Sequence, residues 1–225
     1  LSDFINSAAQ TPYEPGSVFK VITMAAGLDS GAFTPETTYY DNGVLEVRDR
    51  KIKNWDLKAH GKVTMTEAIE QSINTATAYA EKLIGHKNFY DYLLKFGFAA
   101  PTQINLPGDA AGNLANLANF NNPVNFATAA FGQGITVTPI QLVSAVSAIA
   151  NGGTLMRPTV LATDEPEEVR RVISQTAADQ VTAMMESALT KAEVGWIEKY
   201  RLAGKTGTAQ VADLKRGGYT ADVIN

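Results

Sequence analysis

A chain of 225 residues, 45% of them apolar, can bury a sizeable core as one large domain or two closely packed lobes. Its net charge of −4 gives no reason to expect nucleic acid or an anionic membrane surface as a partner. The lack of cysteine excludes disulfides and thiolate metal sites, and no run approaches the roughly 20 apolar residues of a transmembrane helix.

After an irregular start, the spacing of Val18, Val21, Ile22, Ala25 and Ala26 predicts a helix over Ser17 to Asp29, with Gly31 past its end. Asp41-Asn42-Gly43 is a strong turn signal, and Val44 to Val47 with Lys51-Ile52-Lys53 predicts a small hairpin. Thr64-Met65-Thr66-Glu67 has capping-box spacing and opens a helix to about Gln71. A second helix, from about Asn74 to Ile84, is closed by Gly85. Ser72 and Asn74 then lie at a helix junction, where a turn can aim both side chains at a cleft. His86 to Phe96 reads as helical, and Pro101 to Pro123 as a long loop rich in Asn, Gly and Pro. Thr138-Pro139 supplies a cap and a first-position proline for a helix ending near Asn151-Gly152-Gly153. Strands are expected near Thr154–Leu161 and Val169–Ile173, then a helix capped by Ser174 to about Lys191. Alternation predicts a last strand over Arg201 to Val211.

Three short motifs follow one another: Ser17-Val18-Phe19-Lys20, Ser72-Ile73-Asn74 and Lys205-Thr206-Gly207. Average composition gives about one S-x-x-K and one S-x-N by chance in such a chain, but K-T-G in only about one chain in twenty. The ordered trio should arise by accident in fewer than about one chain in a hundred. Taken singly, each motif has an ordinary reading. Ser17, Ser72 and Asn74 could be helix caps, Lys20 a solvated side chain, and Lys205-Thr206-Gly207 a lysine-guarded edge strand. Together they describe chemistry. Helix positions three apart share a face, so Ser17 and Lys20 can come within hydrogen-bond reach. A lysine desolvated by its apolar neighbours can be the base that a serine nucleophile needs. Thr206 and Thr208 share a strand face, with Gly207 between them. His60 and His86 lie in loop-like contexts with no triad arrangement, and no role is assigned to them.

These motifs are the signature set of serine penicillin-binding proteins and their β-lactamase relatives. The chain resembles the transpeptidase domain of class B penicillin-binding proteins over nearly its whole length. Further resemblance lies in Tyr13-Glu14-Pro15-Gly16, Asn54-Trp55-Asp56, Phe131-Gly132-Gln133-Gly134, Thr138-Pro139-Ile140-Gln141-Leu142 and Ala203-Gly204-Lys205-Thr206-Gly207-Thr208-Ala209-Gln210. The Phe131–Gly134 turn is read as a packing and backbone feature. The resemblance implies an α+β, penicillin-binding/β-lactamase-like fold, an antiparallel sheet flanked by an all-helical lobe. The domain would be partial over 1–225, with a helical lobe over about 17–152 and sheet-side elements over about 154–225. It implies a peptidoglycan D,D-transpeptidase acting through a serine acyl-enzyme and acylated by β-lactams. In that scheme Ser17 is the nucleophile, Lys20 its base, and Ser72 a proton relay beside Lys205. The Asn74 amide holds Lys20 and the substrate carbonyl. Thr206 and Thr208 receive the terminal carboxylate, and Gly207 leaves room for an extended substrate. The N–H groups of Ser17 and Thr208 form the implied oxyanion hole.

The implied partners are peptidoglycan stem peptides and β-lactam antibiotics, with membrane proteins of cell-wall synthesis or division for a longer parent. No nucleic acid, metal or organic cofactor enters the scheme. The implied location is extracytoplasmic, on a parent anchored by a transmembrane segment outside this chain. The Phe131 to Leu142 segment leans toward the septal type. Two other classes stay open: a hydrolase (β-lactamase or D,D-carboxypeptidase) and a penicillin-binding sensor or inactive paralogue. The second motif is S-I-N rather than S-D-N, and no Glu between Asn74 and Lys205 has Asn four residues on; both features favour transpeptidation over a class A β-lactamase. Only 18 residues follow Gly207 and 16 precede Ser17. The expectation is therefore a fragment with an incomplete sheet, in which Arg216-Gly217-Gly218-Tyr219 onward leads as a loop toward a missing hairpin.

Overall fold

Side chains that reach the free N–H groups of a first helical turn set most helix starts in this chain. In the computed structural model, which describes residues 5–193 and 197–207 and the backbone of 209–212 and 219–224, Thr64 and Glu67 form a reciprocal capping box. Thr138 and Gln141 form another, and the Ser174 hydroxyl accepts from Ala177 N. The elements in chain order are α1 (Ser7–Gln10), α2 (Lys20–Asp29), β1 (Thr38–Asp41), β2 (Val44–Val47), β3 (Arg50–Lys53) and β4 (Gly61–Thr64). Then come α3 (Met65–Glu70), α4 (Asn74–Ile84), α5 (His86–Lys95), α6 (Pro123–Ala129) and α7 (Pro139–Ala150). The chain continues through β5 (Thr154–Met156), β6 (Glu168–Arg171), α8 (Gln175–Lys191), β7 (Ala209–Ala212) and β8 (Tyr219–Ile224).

Helix α2 is the centre of the core. Every residue from Lys20 to Leu28 is buried, and α4, α5, α7 and α8 pack around it. Such all-round burial suits a helix of Val, Ile, Met, Ala and Leu. One lysine within it is another matter, because burying an ammonium is costly unless it is partnered or neutral.

Among the described residues the strands pair antiparallel, two by two: β1 with β4, β2 with β3, β5 with β6, and β7 with β8. The hairpin at Val44–Lys53 and the helix boundaries follow the sequence expectation. Other features differ. The start expected to be irregular holds α1, and the strand expected near Thr154–Leu161 ends at Met156. Residues 16–19 form a 3₁₀ turn ahead of α2 rather than its first α-helical turn. The strand expected from Arg201 begins only at Ala209. Residues 201–207 instead run beside α8, with Gly204 N donating to Met185 O at 3.4 Å and Arg201 paired to Glu186. Tyr219 onward is not a loop but β8, paired to β7. Finally, α6 emerges at Asn122-Pro123, at the end of the stretch expected to be a loop.

Candidate active site

Ser17 stands in the 3₁₀ turn Gly16–Phe19, and its carbonyl accepts from Lys20 N. Side chains three apart eclipse in a 3₁₀ turn, so Ser17 and Lys20 align more directly than an α-helix would allow. The segment after α6 holds this turn in place. Gly16 N donates to Gly132 O at 3.0 Å, Gly134 N to Glu14 Oε1 at 2.9 Å, and Tyr13 and Val137 exchange both backbone bonds. Gly132 has φ +79°, and a Cβ there would lie 2.2 Å from Gly16 O. The packing role expected of the Phe131–Gly134 turn is thus a direct approach of two backbones.

Lys20 is wholly buried, and its Nζ donates to Ser72 O at 2.7 Å, Asn74 Oδ1 at 2.7 Å and Ser72 Oγ at 3.1 Å. The Ser17 hydroxyl is not among these partners; the amine points across to the α3–α4 junction. Ser72, at φ +56°, is held in the left-handed region there. From the other side, Lys205 Nζ donates to Ser72 Oγ at 2.9 Å and to Thr206 O at 3.0 Å. One serine hydroxyl thus joins two lysine amines. Burial first, and the nearby Lys205 charge second, hold the Lys20 ammonium well below the usual lysine range. Burial pushes Lys205 down to about 8.

Gly207 brings the third motif against the first: a Cβ on it would lie 2.7 Å from Val18 Cγ1. Strand β7 lies beside the Gly16–Phe19 turn. Thr206 is exposed. Thr208 lies outside the described residues. Ser17, Lys20, Ser72, Asn74, Lys205 and Gly207 therefore come together from positions up to 190 residues apart in the sequence.

Sequence reasoning missed the layer behind them. Asn74 Nδ2 donates to Lys53 O at 3.0 Å, which turns the amide oxygen toward Lys20. Asp41, Asn54 and Thr75 form a buried polar cluster beneath. Two signals were available: the Asn54-Trp55-Asp56 segment of the resemblance, and the turn at Asp41-Asn42-Gly43, where Asp41 Oδ1 accepts from Gly43 N at 2.8 Å. Neither signal shows that Asn54 meets the second carboxyl oxygen of Asp41. His60 bonds Gln71 and lies by Asp56, and His86 pairs with Glu81 and stacks on Phe126.

The family described as penicillin binding protein transpeptidase domain matches residues 2–224. The chain belongs to that family. Among curated penicillin-binding relatives, it is 36% identical to stage V sporulation protein D of Bacillus subtilis over 95% of this chain and 35% of that protein. It is 30% identical to penicillin-binding protein PbpB of Mycolicibacterium smegmatis, covering 97% of this chain and 36% of that one. The chain thus spans about a third of the length of these curated relatives. Among solved structures, penicillin-binding protein 2X of Streptococcus thermophilus superposes with TM-score 0.87 at 28% identity, covering 97% of this chain and 35% of that one. Penicillin-binding protein 3 of Mycobacterium tuberculosis, solved with aztreonam, superposes with TM-score 0.83 at 28% identity, covering 96% of this chain and 52% of that one. The expected penicillin-binding fold, α+β with antiparallel strands, is borne out.

Proposed function

We propose that the chain carries the active site of a peptidoglycan D,D-transpeptidase, with Ser17 as nucleophile and Lys20 as its base. The carrying observation is the buried Lys20 amine, one 3₁₀ turn from Ser17 and bonded to both polar residues of the second motif. A neutral amine has two N–H bonds and one lone pair. The two 2.7 Å contacts go to carbonyl oxygens and use the N–H bonds, so the lone pair takes the third direction, toward the Ser72 hydroxyl at 3.1 Å, which then donates to it. As substrate binds, the Ser72 hydroxyl turns from that lone pair toward the leaving nitrogen, and Ser17 Oγ gives its proton to Lys20 as it bonds the carbonyl carbon of the penultimate residue of a D-Ala-D-Ala stem. The oxyanion is received by the N–H groups of Ser17 and Thr208.

As the C–N bond breaks, Ser72, bonded to both lysines, passes a proton to the leaving D-alanine nitrogen. An amine of a second stem then attacks the acyl-enzyme and gives a proton to Lys20; the ester C–O bond breaks, and Ser17 Oγ takes that proton back as the acyl group leaves on the amine. Lys205 with Thr206 and Thr208 receives the terminal carboxylate, and the Asn74 amide orients the peptide. β-Lactams, whose strained amide and carboxylate mimic the substrate, acylate Ser17 by the same step. The chain is read as one transpeptidase domain, with its helical side over about 17–152 and its sheet side over about 154–225. Among the described residues no helix is long and apolar enough to cross a membrane. The site is assigned to the extracytoplasmic face, where its substrate is built, on an anchored parent that works with other cell-wall or division proteins.

The test is labelling of the full-length protein with a fluorescent penicillin, followed by a stem-peptide cross-linking assay. Stoichiometric label lost in Ser17→Ala, together with cross-linked dimer, is the expected result. Label without any turnover would make the protein a sensor, and release of hydrolysed product alone would make it a hydrolase. A wild-type protein that is never acylated ends the reading.

A further inference from the structure

Asn74 can bind Lys20 through oxygen only if its amide is prevented from flipping, and the α4 N-terminus has no cap of its own. Its N-cap residue, Ile73, has no side-chain acceptor. The missing acceptor comes from the residue that follows β3. Asn54 Oδ1 accepts from Thr75 N at 3.2 Å, while the preceding carbonyl, Lys53 O, accepts from Asn74 Nδ2. The last residue of β3 and the one after it thus hold two successive residues at the start of α4.

What orients Asn54 is Asp41, fully buried, with a donor in each of four acceptor positions. Its Oδ1 accepts from Gly43 N at 2.8 Å and Thr75 Oγ1 at 2.7 Å; its Oδ2 accepts from Asn54 Nδ2 at 2.7 Å and His60 N at 3.0 Å. Asn54 Nδ2 also donates to Lys58 O at 2.9 Å, so its oxygen can only face Thr75. Asp41 therefore grips α4 twice: directly through the Thr75 hydroxyl, and through the Asn54 amide. A fully connected buried network of this kind has one low-energy arrangement, because any flip leaves a buried donor or acceptor unpaired.

We propose that Asp41, with Asn54 and Thr75, is the positioning apparatus that locks the Asn74 amide with its oxygen on Lys20. The inference rests on the transpeptidase reading of the site. None of the three residues touches the reacting atoms. They act through Asn74, so their loss should slow the acylation step rather than weaken β-lactam binding.

The experiment uses the full-length protein with the near-isosteric pair Thr75→Val and Thr75→Ser, together with Asp41→Asn. Gln141→Leu serves as a destabilised control, since Gln141 is buried far along the chain against Gly97, Ala100 and Ala111 carbonyls. Penicillin acylation is measured on the folded fraction and resolved into binding and acylation constants. Thr75→Val and Asp41→Asn are expected to lower the acylation constant at least tenfold with binding within about twofold, while Thr75→Ser and Gln141→Leu keep the wild-type value. The Lys20 titration, followed by carbon-13 NMR of labelled lysine, gives a second reading. Losing the Asn74 acceptor disfavours the ammonium, so the Lys20 pKa falls further in Thr75→Val and stays put in Gln141→Leu. Lys205 is the charged group facing Lys20 in all four variants. An unchanged acylation constant and Lys20 titration in Thr75→Val, or an equal loss in Gln141→Leu, overturns the proposal. A wild-type protein that is not acylated would instead sink the reading of the site, and the Lys20 titration would still decide the positioning.

Discussion

Two lysines on one serine hydroxyl make the charge state of each depend on the other. On the proposed mechanism acylation uses the Lys20 lone pair, so its rate should fall as pH drops through the lowered Lys20 value. On the same proposal carboxylate binding uses the Lys205 ammonium, which is lost as pH rises through about 8. The acylation profile should therefore be bell-shaped, with its alkaline limb near that value. Lys205→Met removes the alkaline limb. It also removes a charge that disfavours the Lys20 ammonium, so the acid limb should move to higher pH, with acylation slowed about 10²-fold. Rapid-mixing acylation from about pH 5 to about pH 10 reads both limbs, and an alkaline limb that survives in Lys205→Met would refute the assignment. The same shifts oppose folding. Both folded values lie below the unfolded one, so the unfolded chain takes up protons first as pH falls from about 10.4, and stability is lost from there down to the folded values.

At the scale of elements, the approach of two turns sets where Ser17 stands. Gly132 and Gly31 both have positive φ, but a Cβ on Gly132 would strike Gly16 backbone, whereas one on Gly31 meets open space. Gly31→Ala is expected to cost only the left-handed penalty, about 1–2 kcal/mol in chemical unfolding, with acylation unchanged. Gly132→Ala must also push the Ser17 turn aside, and a shift of about 1 Å at a reacting group can cost about 10²-fold in rate. Equal acylation in the two variants would contradict this. What the sequence disclosed about elements follows the same division between local and remote causes. Thr64 with Glu67, Thr138-Pro139 with Gln141, and Ser174 set their helix starts by contacts within four residues, and all were legible. Helix α6 was not, because seven residues carry too few apolar repeats to outweigh the Asn and Pro around them. The alternation over Arg201–Gly207 was real but did not make a strand, because strand formation needs a partner ladder that no local pattern encodes. Lys20, Ser72, Asn74 and Lys205 could be named by motif. The Asp41–Asn54–Thr75 layer joins three segments through side chains that each have a commonplace local use, and only the fold brings them together.

For the whole molecule, the deciding feature is that one hydrophobic core runs through both sides of the active site. Phe19, Ile22 and Met24 of the first motif's helix belong to the same buried cluster as Ile73 and Ala76 beside the second motif. Leu155, Val172 and the α8 residues Val181, Met184 and Met185 belong to it too. Helix α8 packs on α2, α3 and α7, and Glu70, two residues before Ser72, accepts from Ser187 and Lys191 of α8. A core continuous across residues 152–154 gives no place for one side to melt while the other holds its packing. Unfolding of the 19–188 core should therefore be a single cooperative step. Within this 225-residue chain Trp196→Phe leaves Trp55, beside Gln71, as the one tryptophan, a probe of the α3–α4 side. Its urea transition should coincide with that followed by far-ultraviolet circular dichroism. Met184→Ala, on α8 at 2% exposure, should destabilise by about 2–4 kcal/mol and move both curves together. If the circular dichroism curve moved while the Trp55 curve stayed in place, the two sides would be independent. The alignment of Lys20 with Ser72 would then have to come from the few polar bonds between them, which are too weak singly to hold it: a net stabilisation of about 1 kcal/mol per hydrogen bond is close to thermal energy.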